Sequence, residues 1–386
     1  MKPTARVLYA ALLAAHFLFP AAAHSAGVSF TEDERATILS HGPWPPGIAP
    51  DSTNRVSGEA SAIALGERLF ADPRLSSTGT VACATCHVAA LAFTDGQPLG
   101  RGLRPLVRNT PTVLNARFNR WYGWAGAVDT LWGASIRPLL APSEMAATED
   151  HVARLLVADA ALASLFKTAF GVNSNALPAG EILVAVGKAL AAFQETLMTG
   201  RTPFDAFRDA LASNDGTAMA RYTQSAQRGL KIFVGRGRCS FCHMGSSFTN
   251  GEFDDAGISY FISAGKVDKG RYEGIRHFRQ SSFSGSGGHS DNPHDANANL
   301  TRHVSLQQRD WGAFKVPSLR NVAQTAPYMH NGSLASLHDV ARHYSEINTE
   351  RLHTNGTAIL RPLHLTAVEI DDLVAFLESL TSGKLR

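Results

Sequence analysis

Apolar positions recur at helical spacing in several separate stretches of the chain. Between Ser61 and Asp72, the residues Ile63, Leu65, Leu69 and Phe70 share one face. Ser61 is the expected N-cap, and Asp72-Pro73 ends the element because proline lacks the N–H that would continue it. Helical periodicity returns from about Glu149 to Phe170. It returns again from Pro178, a residue suited to a first turn, to about Met198, and from about Ala218 to Val234. Leu337, Val340, Ala341 and Tyr344 lie on one face of a further amphipathic helix. The last helix opens on Thr366-Ala367-Val368-Glu369, a capping box. Its Val368, Leu373, Val374, Phe376, Leu377 and Leu380 are expected to pack inward. Strand-like alternation is scarce.

The stretches between are polar or broken. Residues 27–60 are rich in Pro, Gly and Ser and read as an irregular strap. Residues 95–145 read as a long loop carrying Trp121, Trp124 and Trp132, and long loops inside a domain are usually functional. Residues 200–216 read as a connection between two domains, and 250–312 as a polar Gly/Ser/His/Asn-rich loop. The histidines of that loop, His277, His289, His294 and His303, lack the i, i+4 pairing of a metal site on a helix and read as loop residues.

Composition sets bounds. A hydrophobic fraction of 44% over 386 residues permits two ordinary cores, and a net charge of +3 is too small to argue for nucleic acid. The N-terminus pairs Lys2 and Arg6 with an apolar run from Val7 to Pro20 and the small residues Ala21-Ala22-Ala23-His24-Ser25-Ala26. That is a signal-peptide pattern, with cleavage fitting after Ala23 or Ser25. The run is shorter than the ~20 residues a spanning helix needs. The expectation is an exported protein without a membrane anchor.

All four cysteines fall in two copies of one pentapeptide, Cys83-Ala84-Thr85-Cys86-His87 and Cys239-Ser240-Phe241-Cys242-His243. C-x-x-C-H is the attachment signature of haem c. Two thiols add across the two vinyl groups of one porphyrin, and the adjacent histidine supplies the proximal nitrogen. Two unrelated zinc or redox C-x-x-C sites would not require His after each second Cys. Two covalently bound haem c groups are therefore expected, in a bacterial periplasm. The expected fold is mostly α, with two cytochrome c-like haem domains and long connecting loops. It divides into a signal peptide at 1–26, an N-terminal haem domain at 27–205 and a C-terminal one at 206–386.

Several separate motifs then resemble the bacterial di-haem cytochrome c peroxidases, in the family's order. They are Gly66-Glu67-Arg68-Leu69-Phe70 through Ser76, Arg108-Asn109-Thr110-Pro111-Thr112-Val113-Leu114-Asn115, Phe314-Lys315-Val316-Pro317-Ser318-Leu319-Arg320-Asn321, and Thr325-Ala326-Pro327-Tyr328-Met329-His330-Asn331-Gly332. The resemblance covers most of 62–382 and is weakest over 250–312. In the peroxidases a methionine closes the second haem; in the tyrosine-ligated MauG/MbnH subgroup a tyrosine does. Aligned on Thr325-Ala326-Pro327, that position is Tyr344, with His343 and Met329 as competitors. A phenolate favours ferric and higher-valent iron. Read without the resemblance, Tyr344 is a buried aromatic of an amphipathic helix and Glu144 a surface acid.

The resemblance implies that His87 holds a haem with an open face for hydrogen peroxide. It maps the family's catalytic glutamate to Glu144, the proline that crowds the pocket to Pro138, and the tryptophan between the haems to Trp124. It maps a structural calcium ion to the Asn109 side chain and the carbonyls of Thr325 and Pro327, an oxygen-only set that suits calcium. The chain departs from the pattern too. The family's W-D-G-R is Trp124-Ala125-Gly126-Ala127, the acidic run is Thr130-Leu131-Trp132-Gly133, and the distal glutamine is Ala134. These losses weigh against ordinary peroxidase turnover. The function implied is a MauG/MbnH-like oxidoreductase. Hydrogen peroxide oxidises the haem pair, and the oxidising equivalents, shared through Trp124, modify a residue of a periplasmic partner protein. That residue is expected to be tryptophan, converted to kynurenine or a quinone, on a partner that in the MbnH type binds copper. The alternatives are a cytochrome c peroxidase fed by a small cytochrome or cupredoxin, and a di-haem electron carrier.

Overall fold

A computed structural model describes residues 28–352 and 360–383; the expected signal peptide lies outside the described residues. The chain is mostly helical. Its first half holds α1 (Glu32–Ser40), α2 (Ala60–Phe70), α3 (Cys83–Cys86), α4 (Leu131–Leu140), α5 (Glu149–Ala158), α6 (Ala160–Phe170) and α7 (Ala179–Gln194). The second half holds α8 (Pro203–Ser213), α9 (Gly216–Met219), α10 (Gln224–Val234), α11 (Arg271–Gln280), α12 (Ala296–Thr301), α13 (Leu337–Ser345) and α14 (Ala367–Glu378). Two short antiparallel pairs complete it. β1 (Phe253–Asp254) pairs with β4 (Phe314–Lys315), and β2 (Phe261–Ser263) with β3 (Lys266–Val267).

Several expected boundaries move, each for a local reason. The strap 27–60 contains α1, because Thr31 and Glu34 close a capping box at its start. The N-cap of α2 is Glu59 rather than Ser61, without a side-chain bond. The stretch 149–170 is two helices. Asp159 ends α5, and its carboxylate accepts from the N–H groups of Ala161 and Leu162 to start α6. The expected connection 200–216 contains α8, opened by Thr202, Pro203 and Asp205. The helix before the second C-x-x-C-H starts at Gln224, not Ala218. The loop 95–145 contains α4, and the loop 250–312 contains α11, α12 and three of the four strands. The Thr366–Glu369 box forms as expected, but Val368 is 63% exposed and takes no part in the packing.

Among the described residues two large apolar clusters form, beside a small one of Val56, Ala62 and Ala192. The first gathers Leu65 and Leu69 of α2, Trp132, Ile136 and Leu139 of α4, and Leu183, Val186 and Leu190 of α7, among others. The second gathers Phe204 and Phe207 of α8, Leu230 and Phe233 of α10, and Leu373, Phe376 and Leu377 of α14, with Phe248. Ile38 of α1 joins this second cluster, although α1 precedes the first haem motif. The clusters part between Leu197 and Phe204, so a 205/206 division runs through the first turn of α8. At the crossing of α10 and α14 a Cβ on Gly229 would lie 1.9 Å from the Asp372 carbonyl oxygen; only glycine allows the helices so close. Among the described residues no helix is long and apolar enough to cross a membrane.

Candidate di-haem site

One connected cavity of about 1090 Å³ runs between the clusters and touches both C-x-x-C-H motifs. It exceeds the roughly 300–1,000 Å³ of an ordinary small-molecule pocket. Cys83, Cys86, His87, Cys239, Cys242 and His243 all lie on its wall, and so do Glu144, Pro138, Trp124, Tyr344, Asn109, Thr325 and Pro327. Ala134 lines it as well, whereas Trp121 and Trp132 do not.

The two histidines are held alike. His87 Nδ1 lies 3.0 Å from the Phe93 carbonyl oxygen, and His243 Nδ1 lies 3.0 Å from that of Phe248. This places the N–H on Nδ1 and leaves the Nε2 lone pair for a metal. Burial lowers both rings below the ordinary histidine range and keeps them neutral. Phe93 and Phe248 are each left-handed, with φ of 58° and 53°. Bulky residues rarely take that conformation. A buried ion pair steadies the second loop: both Asp205 oxygens accept from Arg320, whose Nε donates to the Ser246 carbonyl at 2.6 Å. Phe93 and Phe248 escaped the sequence reading. Their signal is a phenylalanine five or six residues after each histidine.

The four thiols are free and partly buried. Burial pushes Cys83 and Cys239 up to about 12, and Cys86 and Cys242 up to about 11. Among the described residues no three His, Cys, Asp or Glu side chains gather as a metal-ion ligand set.

Around the first motif, α4 turns Pro138 and Ala134 toward the cavity. Glu144 follows in the next turn, its N–H bonded to the Ala141 carbonyl at 3.0 Å. Burial pushes its carboxyl above the usual carboxylate range, against the pull of Arg137. Around the second motif, α13 brings Tyr344 to the wall. Burial first, then the Cys239 and Cys242 thiols, hold its phenol above the usual tyrosine range. His343 points elsewhere: its Nε2 lies 2.7 Å from the Ala256 carbonyl oxygen. Met329 lines the cavity.

Trp124 links the halves. Its Nε1 donates to the Asn109 carbonyl at 2.9 Å, and its own carbonyl accepts from the Lys315 N–H at 2.8 Å. The Asn109 N–H donates to His330 at 2.8 Å, which brings the Asn109 strap against the 325–330 segment. Lys315 was not foreseen as a cavity residue. Its Nζ donates to Asn119 Oδ1 at 3.0 Å, and burial lowers it to about 8.

Residues 60–213 match the family model for di-haem cytochrome c peroxidase. The methylamine utilization protein MauG of Methylorubrum extorquens is 34% identical over 320 residues, covering 82% of this chain and 77% of its own. The cytochrome-c peroxidase IdrP1 of Pseudomonas sp. (strain SCT) is 31% identical over 351 residues, covering 89% and 86%. A solved MauG-like protein associated with microbial copper homeostasis superposes with a TM-score of 0.68 at 26% identity, over 89% of this chain and 97% of that one. With both haem motifs on one cavity wall and relatives along most of its length, the chain belongs to the di-haem cytochrome c peroxidase/MauG family.

Proposed function

We propose that this protein is an exported di-haem c enzyme of the MauG/MbnH kind, which uses hydrogen peroxide to oxidise a side chain of a partner protein. The observation that carries this reading is Tyr344, on the cavity wall behind the second motif while His343 turns away to Ala256. Cys83 and Cys86 would hold one haem by thioether bonds, and Cys239 and Cys242 the other, with Nε2 of His87 and His243 as proximal ligands. Bound there, the haems supply the peroxide site and two places to keep oxidising equivalents.

The chain's own groups do the rest. Glu144, raised by burial, takes the proton from one peroxide oxygen and returns it to the other as the bond between them breaks. Pro138 narrows the space above the first haem, and Ala134 leaves that space less polar than a glutamine would. Trp124 relays an electron between the halves. Each turnover reduces hydrogen peroxide to two waters with two protons and two electrons, and the electrons come finally from the partner's side chain. Asn109 Oδ1 with the carbonyls of Thr325 and Pro327 offers a calcium site, which would fix the strap that accepts the Trp124 N–H. The copper context of the 26%-identical solved MauG-like relative supports a copper-binding partner, whose oxidised residue we take to be a tryptophan. The N-terminal pattern supports a periplasmic location.

The test is low-temperature EPR of the ferric protein. One high-spin and one low-spin signal are expected, and Tyr344→Phe changes the low-spin signal alone. Peroxide then gives a long-lived state oxidised by two equivalents, which Trp124→Phe shortens. Two low-spin signals and no reaction with peroxide would instead mark an electron carrier. The second reading, a cytochrome c peroxidase, is favoured by the 31%-identical peroxidase and by Met329 on the wall. Rapid turnover with reduced cytochrome c, and an unchanged low-spin signal in Tyr344→Phe, would establish it and sink the first.

A further inference from the structure

Trp121 and Trp124 stand three residues apart, yet their surroundings differ. Trp124 lines the cavity, whereas Trp121 is 3% exposed and carries a guanidinium on its face. That group belongs to Arg271, the first residue of α11. Its Cζ lies 3.9 Å from the Trp121 ring centroid and 3.9 Å from that of Phe253. Its Nη1 donates to the Gly126 carbonyl at 2.7 Å and to the Ala125 carbonyl at 3.3 Å. Arg271 is itself 3% exposed. Among the described residues no carboxylate pairs with it directly; Asp310 and Glu252 act on it from a distance. Burial lowers it to about 10, which leaves it charged at neutral pH.

The placement is built into the fold. A Cβ on Gly274 would lie 1.8 Å from the Ala125 carbonyl oxygen, and one on Gly126 would lie 2.2 Å from the Phe253 ring. Helix α11 therefore rests directly on the turn that carries both tryptophans. A buried cation without a carboxylate partner is costly unless its surroundings replace the lost water. Here two aromatic faces and two carbonyls do so.

We propose that Arg271 keeps oxidising equivalents off Trp121 and so confines the relay between the two haem sites to Trp124. This rests on the reading that peroxide oxidises the haem pair and that Trp124 relays between them. A neutral indole attracts the guanidinium through its electron-rich face. An indole that has lost an electron is a cation and repels it. Two like unit charges at this separation, at an effective dielectric constant of about 20, disfavour the oxidised ring by on the order of a thousandfold. Trp124 has the opposite setting: its N–H points at the Asn109 carbonyl, whose negative end favours electron loss.

The experiment uses the haem-loaded full chain, hydrogen peroxide and freeze-quenched EPR. Peroxide takes two electrons and two protons and leaves as two waters. With the cation gone, in Arg271→Met, one electron leaves the Trp121 ring to fill one vacancy. The indole proton passes to water, and a neutral tryptophan radical appears. The doubly oxidised state then decays on the order of tenfold faster or more. Radical and fast decay both vanish in the Arg271→Met/Trp121→Phe double variant. Arg271→Lys keeps the charge and shows no radical. Trp121→Phe alone leaves the wild-type lifetime unchanged. A folded Arg271→Met without the radical, or a changed lifetime in Trp121→Phe, overturns the proposal. If Arg271→Met does not fold, the Trp121→Phe and Arg271→Lys outcomes decide it. If the wild type never reaches a doubly oxidised state, the functional reading falls and takes this inference with it. If that state forms and depends on Trp124, only the inference is at stake.

Discussion

A left-handed phenylalanine stands behind the histidine of each C-x-x-C-H motif, and the two loops reach this arrangement with different spacings. Strained residues persist where surrounding structure over-determines them. Here the strain aims a carbonyl at Nδ1 and so fixes which nitrogen faces the cavity. Such roles are invisible in sequence, because they depend on a dihedral angle rather than a side chain. Glu195 is a second residue of this kind. It is 4% exposed; one oxygen accepts from the Ser57 hydroxyl at 2.5 Å, and the other has no partner among the described residues. Burial raises its carboxyl to about 7. The unfolded chain releases that proton near 4.3. Between those values the folded state binds more protons, so stability falls as pH rises, by about 3 kcal/mol once pH exceeds 7. Glu195→Gln removes the titration. Urea denaturation should show the variant gaining on the wild type from about pH 5 to about pH 8, by up to that amount. A difference that is the same at both values would show that Glu195 does not titrate in this way.

Among elements, sharp end signals were legible and weak faces were not. The Thr366–Glu369 box and the proline after α2 located their helices because each acts through local chemistry. Helices α8 and α11 were read as loop. For α11 the apolar face is weak, with Ile275 and Phe278 the large apolar side chains it buries, and neighbours settle its helicity; α8 carries both a capping box at Thr202 and a buried face of Phe204, Phe207 and Leu211, which its place between the two haem motifs masked. Val368 failed in the opposite sense. It fits the apolar spacing but faces solvent, because α10 and α13 cover the other side of α14. The crossing of α10 and α14 then gives a paired prediction. Gly229→Ala forces a methyl against the Asp372 carbonyl and should cost about 1–3 kcal/mol or more. Thr366→Ala removes the cap and should cost about 1 kcal/mol. Chemical denaturation measures both. Equal losses would mean that the close crossing is not the tighter constraint.

At the scale of the whole molecule, the two C-x-x-C-H motifs read as cofactor sites from spacing alone, whereas the proposal that they are unequal comes only from the resemblance. The structure adds that both open on one cavity, with Glu144 close enough to act on the Cys83 and Cys86 thiols and Tyr344 on those of Cys239 and Cys242. What sequence could not supply was the connection through the Asn109 strap, because the bond from Trp124 joins residues that no local pattern relates. If the halves play different parts, removing each haem linkage must have different consequences. Cys239→Ala/Cys242→Ala should keep one haem that resists acid–acetone extraction, retain the high-spin EPR signal and lose the low-spin one. Peroxide should still react with it, yet no state oxidised by two equivalents at separate sites should accumulate. Cys83→Ala/Cys86→Ala should keep the other haem, retain the low-spin signal and react slowly or not at all with peroxide. Each variant should also melt below the wild type, since part of a cavity of about 1090 Å³ would lose the haem proposed to fill it. Identical spectra and identical peroxide reactions from the two variants would mean that the motifs are equivalent, and a division of labour between them would have to be abandoned.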